Sequence, residues 1–252
     1  MYMKTLKESI LNRSSHSGEG FKTQRREMIE KWLKEYNIVY YTINDDFTVD
    51  VNGEVFLFKS NLIQFPEYIQ FGVVKGDFDC RNNILTSLRG CPREVEGGFY
   101  CNVNELTSLE GAPEKVGGNF YCNHNKLTSL EGVPEKVGGN FYCNHNKLTS
   151  LEGVPKKVGG LFDCSDNQLT SLKGAPKEVG KDFTCSDNRL TSLEGAPEKV
   201  GADFACFNCK DLISLKGAPK KVGGDFYCKP GSIRFTEEDV KKVCNVKGEI
   251  FV

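Results

Sequence analysis

Seven cysteines, Cys80, Cys101, Cys122, Cys143, Cys164, Cys185 and Cys206, stand 21 residues apart, each two residues after a phenylalanine. They recur inside a unit that reads F-x-C-x-x-N-x-L-T-S-L-x-G-x-P-x-x-V-G-G-x. A unit of this length is too short to enclose a core, so its apolar positions are buried only by stacking on the units before and after it. The 252 residues therefore make one elongated array rather than two globular domains. The units Asn119–Gly139 and Asn140–Gly160 differ only at Glu135 against Lys156. That near-identity points to recent duplication and to an array whose length can change without loss of fold.

In F-x-C the first and third residues share a side, so Phe120 and Cys122 face the core while Tyr121 faces solvent, as in a strand. One short strand per unit, paired in parallel about 4.8 Å from its neighbours, gives a β-rich solenoid with a parallel sheet on one face. The outer row of that sheet reads Asp79, Tyr100, Tyr121, Tyr142, Asp163, Thr184, Ala205 and Tyr227. The asparagine three residues after each cysteine, such as Asn125 and Asn146, stands where the chain leaves the strand. Its amide can satisfy backbone groups of adjacent turns that a tight solenoid would otherwise bury unpaired. Leu127 and Leu130 fill the core, Thr128 and Ser129 bond backbone locally, and Gly132 and Pro134 set the turn. Val137, Gly138 and Gly139 then bring the chain back toward the next strand.

This pattern resembles the leucine-rich repeat family, whose L-x-x-L-x-L-x-x-N-x-L signature aligns with F-x-C-x-x-N-x-L, as at Phe162, Cys164, Asn167 and Leu169. It is most similar to the short bacterial and bacteriophage repeats that carry LTSL and a proline turn, over roughly Val55 to Cys228. Phe and Cys replace two leucines, and each unit is one residue longer than the commonest short bacterial unit. The resemblance implies a leucine-rich-repeat array with an extended convex side. If the chain belongs with the bacteriophage repeats it resembles, the resemblance further implies a host factor, a defence component or another virion protein as partner.

Solenoid ends expose apolar edges, so caps are expected on both sides of the array at 55–228. In the N-terminal cap, 21–54, the residues Phe21, Met28, Ile29, Trp32, Leu33 and Tyr36 share a helical face. Phe47, Val49 and Val51 on one side of Asn52-Gly53, with Val55 and Leu57 on the other, predict a two-residue hairpin. Its second arm reads as a degenerate first unit, with Val55, Leu57, Ser60, Leu62 and Phe65 at the spacings of Phe120, Cys122, Asn125, Leu127 and Leu130. In the C-terminal cap, 229–252, Thr236 and the acidic residues after it start a helix that packs Val240, Val243 and Cys244 inward, followed by a last strand at Glu249–Val252. One extra residue in Phe207–Asp211 predicts a local bulge. Residues 1–20 read as a flexible segment in which Met3, Leu6 and Ile10 form a weak apolar stripe.

A net charge of -1 proposes neither a nucleic-acid nor a membrane partner, and no apolar run reaches the roughly 18 residues of a membrane span. A cytoplasmic chain is expected. Eleven cysteines, an odd number with seven in one apolar slot, read as small buried hydrophobes rather than as disulfides. A column of one Cys per unit does not converge four metal ligands, and the C-x-x-C pair Cys206 and Cys209 has no second pair. No nucleophile stands with a base, so neither enzyme nor cofactor is expected. The candidate partner-binding residues lie on the sheet face: Tyr100, Asn102, Tyr121, Asn123, His124, Tyr142, Asn144, His145, and further along Asp163, Asp166, Asp187 and Asp203. Tyrosines beside amides suit recognition of a protein, and the acidic part suits a basic one. Two other readings are a virion scaffold docked through residues 1–20, and a small-ligand or glycan binder.

Overall fold

The structure, a computed structural model, describes residues 18–229, 231 and 233–252. The Met3, Leu6 and Ile10 stripe lies outside the described residues. Each 21-residue unit contributes two strands, where one was expected. Phe120–Tyr121 pairs in parallel with Phe99–Tyr100 and Phe141–Tyr142, and Lys136–Val137 pairs with Lys115–Val116 and Lys157–Val158. The result is a β-solenoid with two parallel sheets, an 11-stranded sheet A built from the K-V strands and a 10-stranded sheet B built from the F-x strands. Two residues are too few to show alternation, and the proline turn and glycine pair on either side hide the sheet A strand in the sequence.

The sheet A strand of one unit is joined to the sheet B strand of the next through Gly138-Gly139-Asn140, where a Cβ on Gly138 would collide with the Gly117 carbonyl oxygen of the unit before. Backbone thus packs on backbone at this corner, which glycine favours, although Asn52, Lys75, Glu96 and Lys247 take the same place in units at or near the two ends of the array. Phe120, Cys122, Leu127, Leu130 and Val137 and their equivalents are buried. The phenylalanines from Phe78 to Phe226 stack in one column, with neighbouring ring centroids 5.0 to 5.7 Å apart.

The asparagines tie the units together. Asn146 Nδ2 donates to Cys143 O of its own unit and to Cys122 O of the preceding one, each at 3.1 Å, while its Oδ1 accepts from Leu127 N at 3.0 Å. Asn83, Asn104, Asn125, Asn167 and Asn188 repeat this arrangement. Cys209 takes the same slot in the following unit, where its thiol donates to Cys185 O and Phe207 O at 3.5 Å but supplies no amide oxygen. The extra residue there forms a turn after the strand, closed by Leu212 N–H donating to Cys209 O at 2.9 Å, rather than the expected β-bulge.

At the N-terminal end, helix α1 (Gly18–Glu35) buries Ile29, Trp32 and Leu33, and the Trp32 ring lies 6.2 Å from both Phe65 and Phe71. Phe21, expected on that face, is exposed. The hairpin lies one strand earlier than predicted. Strand β1 (Tyr41–Ile43) pairs antiparallel with β2 (Val49–Val51), closed by Asn44 N–H donating to Thr48 O at 2.9 Å. Strand β2 then continues sheet A against β4 (Phe71–Val74), and β3 (Val55–Phe56) opens sheet B against Phe78–Asp79. Asn52-Gly53 is therefore the glycine corner of the first unit, the counterpart of Gly138-Gly139, and not a hairpin turn.

At the C-terminal end, helix α2 (Glu237–Lys241) starts at Thr236 in a capping box with Asp239. Val240 and Cys244 are buried, but Val243, expected inward, is exposed. Ile250–Phe251 pairs with Phe226–Tyr227 as a last sheet B strand, as the sequence predicted.

Replacing Asn146 with Ala leaves the buried Leu127 N–H without its partner and removes one of the two amide donors at Cys122 O and Cys143 O, which keep Asn125 and Asn167, at a cost on the order of 2 kcal/mol. Urea unfolding of Asn146→Ala measures this. Inserting a further copy of residues 119–139 into the array is expected to preserve the circular dichroism per residue and not to lower the melting temperature.

Candidate functional site

The outer face of sheet B carries the candidate residues because the F-x-C alternation turns every second side chain out. Tyr100, Tyr121 and Tyr142 lie half-buried on three adjacent strands. Their rings meet edge to face, 5.1 Å apart at 89° for the first pair and 4.6 Å apart at 75° for the second. Burial, first of all, raises the phenol pKa of Tyr100 and Tyr142, so both are neutral hydrogen-bonding groups at neutral pH. Among the described residues the Tyr100 hydroxyl meets Asn119 Nδ2 at 3.5 Å, whereas those of Tyr121 and Tyr142 make no hydrogen bond.

Beside the tyrosines runs a half-buried row of Asn102, Asn123 and Asn144, continued by Ser165. The Oδ1 atoms of the three asparagines and Ser165 Oγ are covered, yet have no hydrogen-bond partner among the described residues. Buried acceptors of this kind are uncommon, and four in one register mark a repeated feature rather than a local accident.

The next row holds His124, His145, Asp166 and Asp187, whose φ values of 51 to 54° are left-handed. Asn82, Val103 and Asn208 share the slot and the conformation. Asn, Asp and His are the side chains that best tolerate this region, so residue type here follows the backbone in every unit but that of the β-branched Val103. The recurrence of Asn, Asp and His just before the recurring asparagine was the signal from which this could have been read. The His124 and His145 rings stack 4.2 Å apart at 14°, and His145 Nδ1 lies 2.6 Å from Asp166 Oδ2. Burial, and then the neighbouring His145, lower the pKa of His124.

The acidic residues are engaged within the array. Asp163 Oδ1 accepts from Ser165 N at 2.9 Å, and Asp187 Oδ1 accepts from Asn208 Nδ2 at 3.0 Å. Asp203 Oδ1 accepts from Asp225 N at 2.8 Å, in a ladder whose other rungs include Asn119 to Asn140 N and Asp182 to Asp203 N. Asp79, predicted on the outer row, is buried and paired with Arg81 at 3.0 Å. Arg81 in turn lies over the Phe58 and Tyr100 rings. The predicted site thus divides. Tyrosines and asparagines form one continuous surface, while the histidines and aspartates have local roles in the backbone.

Every cysteine is buried and unbridged, and burial raises the pKa of Cys209 and Cys244 to about 11. Thiols so placed are poor nucleophiles. Among the described residues no three His, Cys, Asp or Glu side chains are placed to hold a metal ion, and no helix is long and apolar enough to cross a membrane.

Burial, outweighing the bonds from Ser165, raises the Asp163 carboxyl pKa. The folded chain then binds more protons than the unfolded one above the ordinary value of about 3.9, so stability falls as pH rises through the folded pKa. Asp163→Asn is expected to melt higher than the parent chain at pH 7, with the difference vanishing towards pH 3. Thermal melts across that range check this. No family model matches the chain, and no curated protein matches it.

Proposed function

We propose that the chain is a non-catalytic, leucine-rich-repeat-like recognition module that holds a protein partner on the outer face of sheet B, centred on Tyr100, Tyr121 and Tyr142. The observation that carries this reading is the tyrosine ladder itself. It is a half-exposed aromatic surface across three strands, and the hydroxyls of Tyr121 and Tyr142 are unengaged among the described residues. Tyrosine combines large rigid contact area with a polar tip, which is why it is enriched where proteins meet. Asn102, Asn123 and Asn144 lie alongside and supply amides to the same contact. The carboxylates of Asp163, Asp166, Asp187 and Asp203 set a negative potential that steers a basic partner rather than contacting it directly.

In this reading α1 and the segment around α2 cap an otherwise sticky array, and the chain works in the cytoplasm. The resemblance to bacteriophage repeats supports a host or defence factor as the partner. The rival scaffold reading places the contact in residues 1–20, so deletion of those residues separates the two: capture of a partner survives under the first and is lost under the second.

The triple variant Y100A/Y121A/Y142A is expected to lower affinity for a captured partner by at least about tenfold while the fold persists. The measurement is a pull-down with the parent and variant chains side by side, followed by titration of the retained protein. Unchanged affinity in a folded variant overturns the assignment of this face.

A further inference from the structure

The two sheets match at one end and differ at the other. At the C-terminal end Asn245–Val246 closes sheet A and Ile250–Phe251 closes sheet B. At the N-terminal end β1 carries sheet A one strand further, whereas sheet B stops at β3. The layer that holds β1 has no sheet B strand among the described residues.

Strand β3 bonds inward through Val55 N–H to Asp77 O at 2.8 Å and Leu57 N–H to Asp79 O at 2.7 Å. Backbone groups alternate between the two edges of a strand, so the N–H and C=O of Phe56 point away from the sheet. The outward side chains of this edge are apolar and uncovered: Phe56 is 59% exposed and Phe58 42%. The edge is also charged in opposite senses at its two ends. Glu54 precedes it and Lys59 follows it, both are exposed, and neither forms an ion pair among the described residues. Lys59 Nζ lies 5.1 Å from the centre of the Phe58 ring.

We propose that the β3 edge is a docking site for an extended peptide segment of a partner protein, which adds to sheet B as a further strand. The segment carries apolar side chains at alternate positions to cover Phe56 and Phe58. It has a basic residue at the end beside Glu54 and an acidic residue at the end beside Lys59. Main-chain bonds to Phe56 supply affinity and the flanking charges set direction. A second array cannot take this place, because α1 already lies across the end of the core with Trp32 against Phe65 and Phe71. One strand has room where a stacked unit does not. The edge lies three strands from Tyr121, whereas Tyr100 shares Arg81 with Phe58, so Tyr121 and Tyr142 can be lost without touching the edge.

The test uses the full chain as bait for a displayed library of random ten-residue peptides. Fluorescence anisotropy then measures the enriched peptides on the parent, on Phe56→Pro, on Phe56→Ser and on Y121A/Y142A. Phe56→Pro removes the outward N–H, while Phe56→Ser keeps the backbone and removes only the ring. The expected result is peptides with alternating apolar residues and opposite terminal charges that bind either Phe56 variant at least about tenfold more weakly. Their binding to the tyrosine variant is expected to be unchanged. Failure to enrich any peptide, enrichment of peptides without that pattern, or equal binding to folded Phe56→Ser overturns the proposal. Slow hydrogen exchange at the Phe56 amide of the free chain does so too, since a segment of the chain itself or a second copy then covers the edge.

Discussion

A single amide side chain, repeated at each strand exit, holds successive units of this array in one register. The asparagine bonds the backbone of its own unit and that of the unit before it, so it satisfies buried polar groups and fixes the offset between units at the same time. Once that offset is fixed, phenylalanine must fall on phenylalanine and leucine on leucine. The apolar columns are thus as much a consequence of the polar ladder as a cause of stability. Cys209 shows the limit of the device: the array continues through a unit whose slot holds a thiol, supported by regular units on its N-terminal side and by the last strands on its C-terminal side.

The interior was legible in the sequence because its positions are both apolar and periodic: Phe120, Cys122, Leu127 and Leu130 could be placed from spacing alone, whereas Val137 was read only as part of the return to the next strand. The structural role of the asparagines was legible from valence, since a short unit has more backbone polar groups than its own turns can satisfy. Sheet A was hidden because its strands are two residues long. The Asn52-Gly53 corner was misread for a related reason. Asparagine-glycine between apolar residues fits a hairpin as well as a glycine corner, and only alignment of Val51 and Val55 with Val137 and Phe141 tells them apart. Asp79 and Val243 illustrate a third limit, because a period of two or of 3.6 says which way a side chain starts but not what closes over it.

The same distinction orders the candidate site. At His124, His145, Asp166 and Asp187 the backbone turns left-handed and selects among a few residue types, so identity there is partly spoken for. At Tyr100, Tyr121 and Tyr142 the backbone is ordinary strand and asks only for a side chain that lies well on a pleated surface. Thr184 and Ala205 occupy the same row in later units, which shows that the fold does not require an aromatic there. A residue the fold tolerates but does not demand is where a recognition surface can vary.

The thiols give the array one further property. Cys101, Cys122, Cys143, Cys164, Cys185 and Cys206 occupy six consecutive units, and burial holds each far from the thiolate form. Such a sulfur meets solvent only when its own stretch of the solenoid opens. The chain therefore carries a chemical clock in each of these units, and the order in which the sulfurs become alkylated is the order in which the solenoid comes apart.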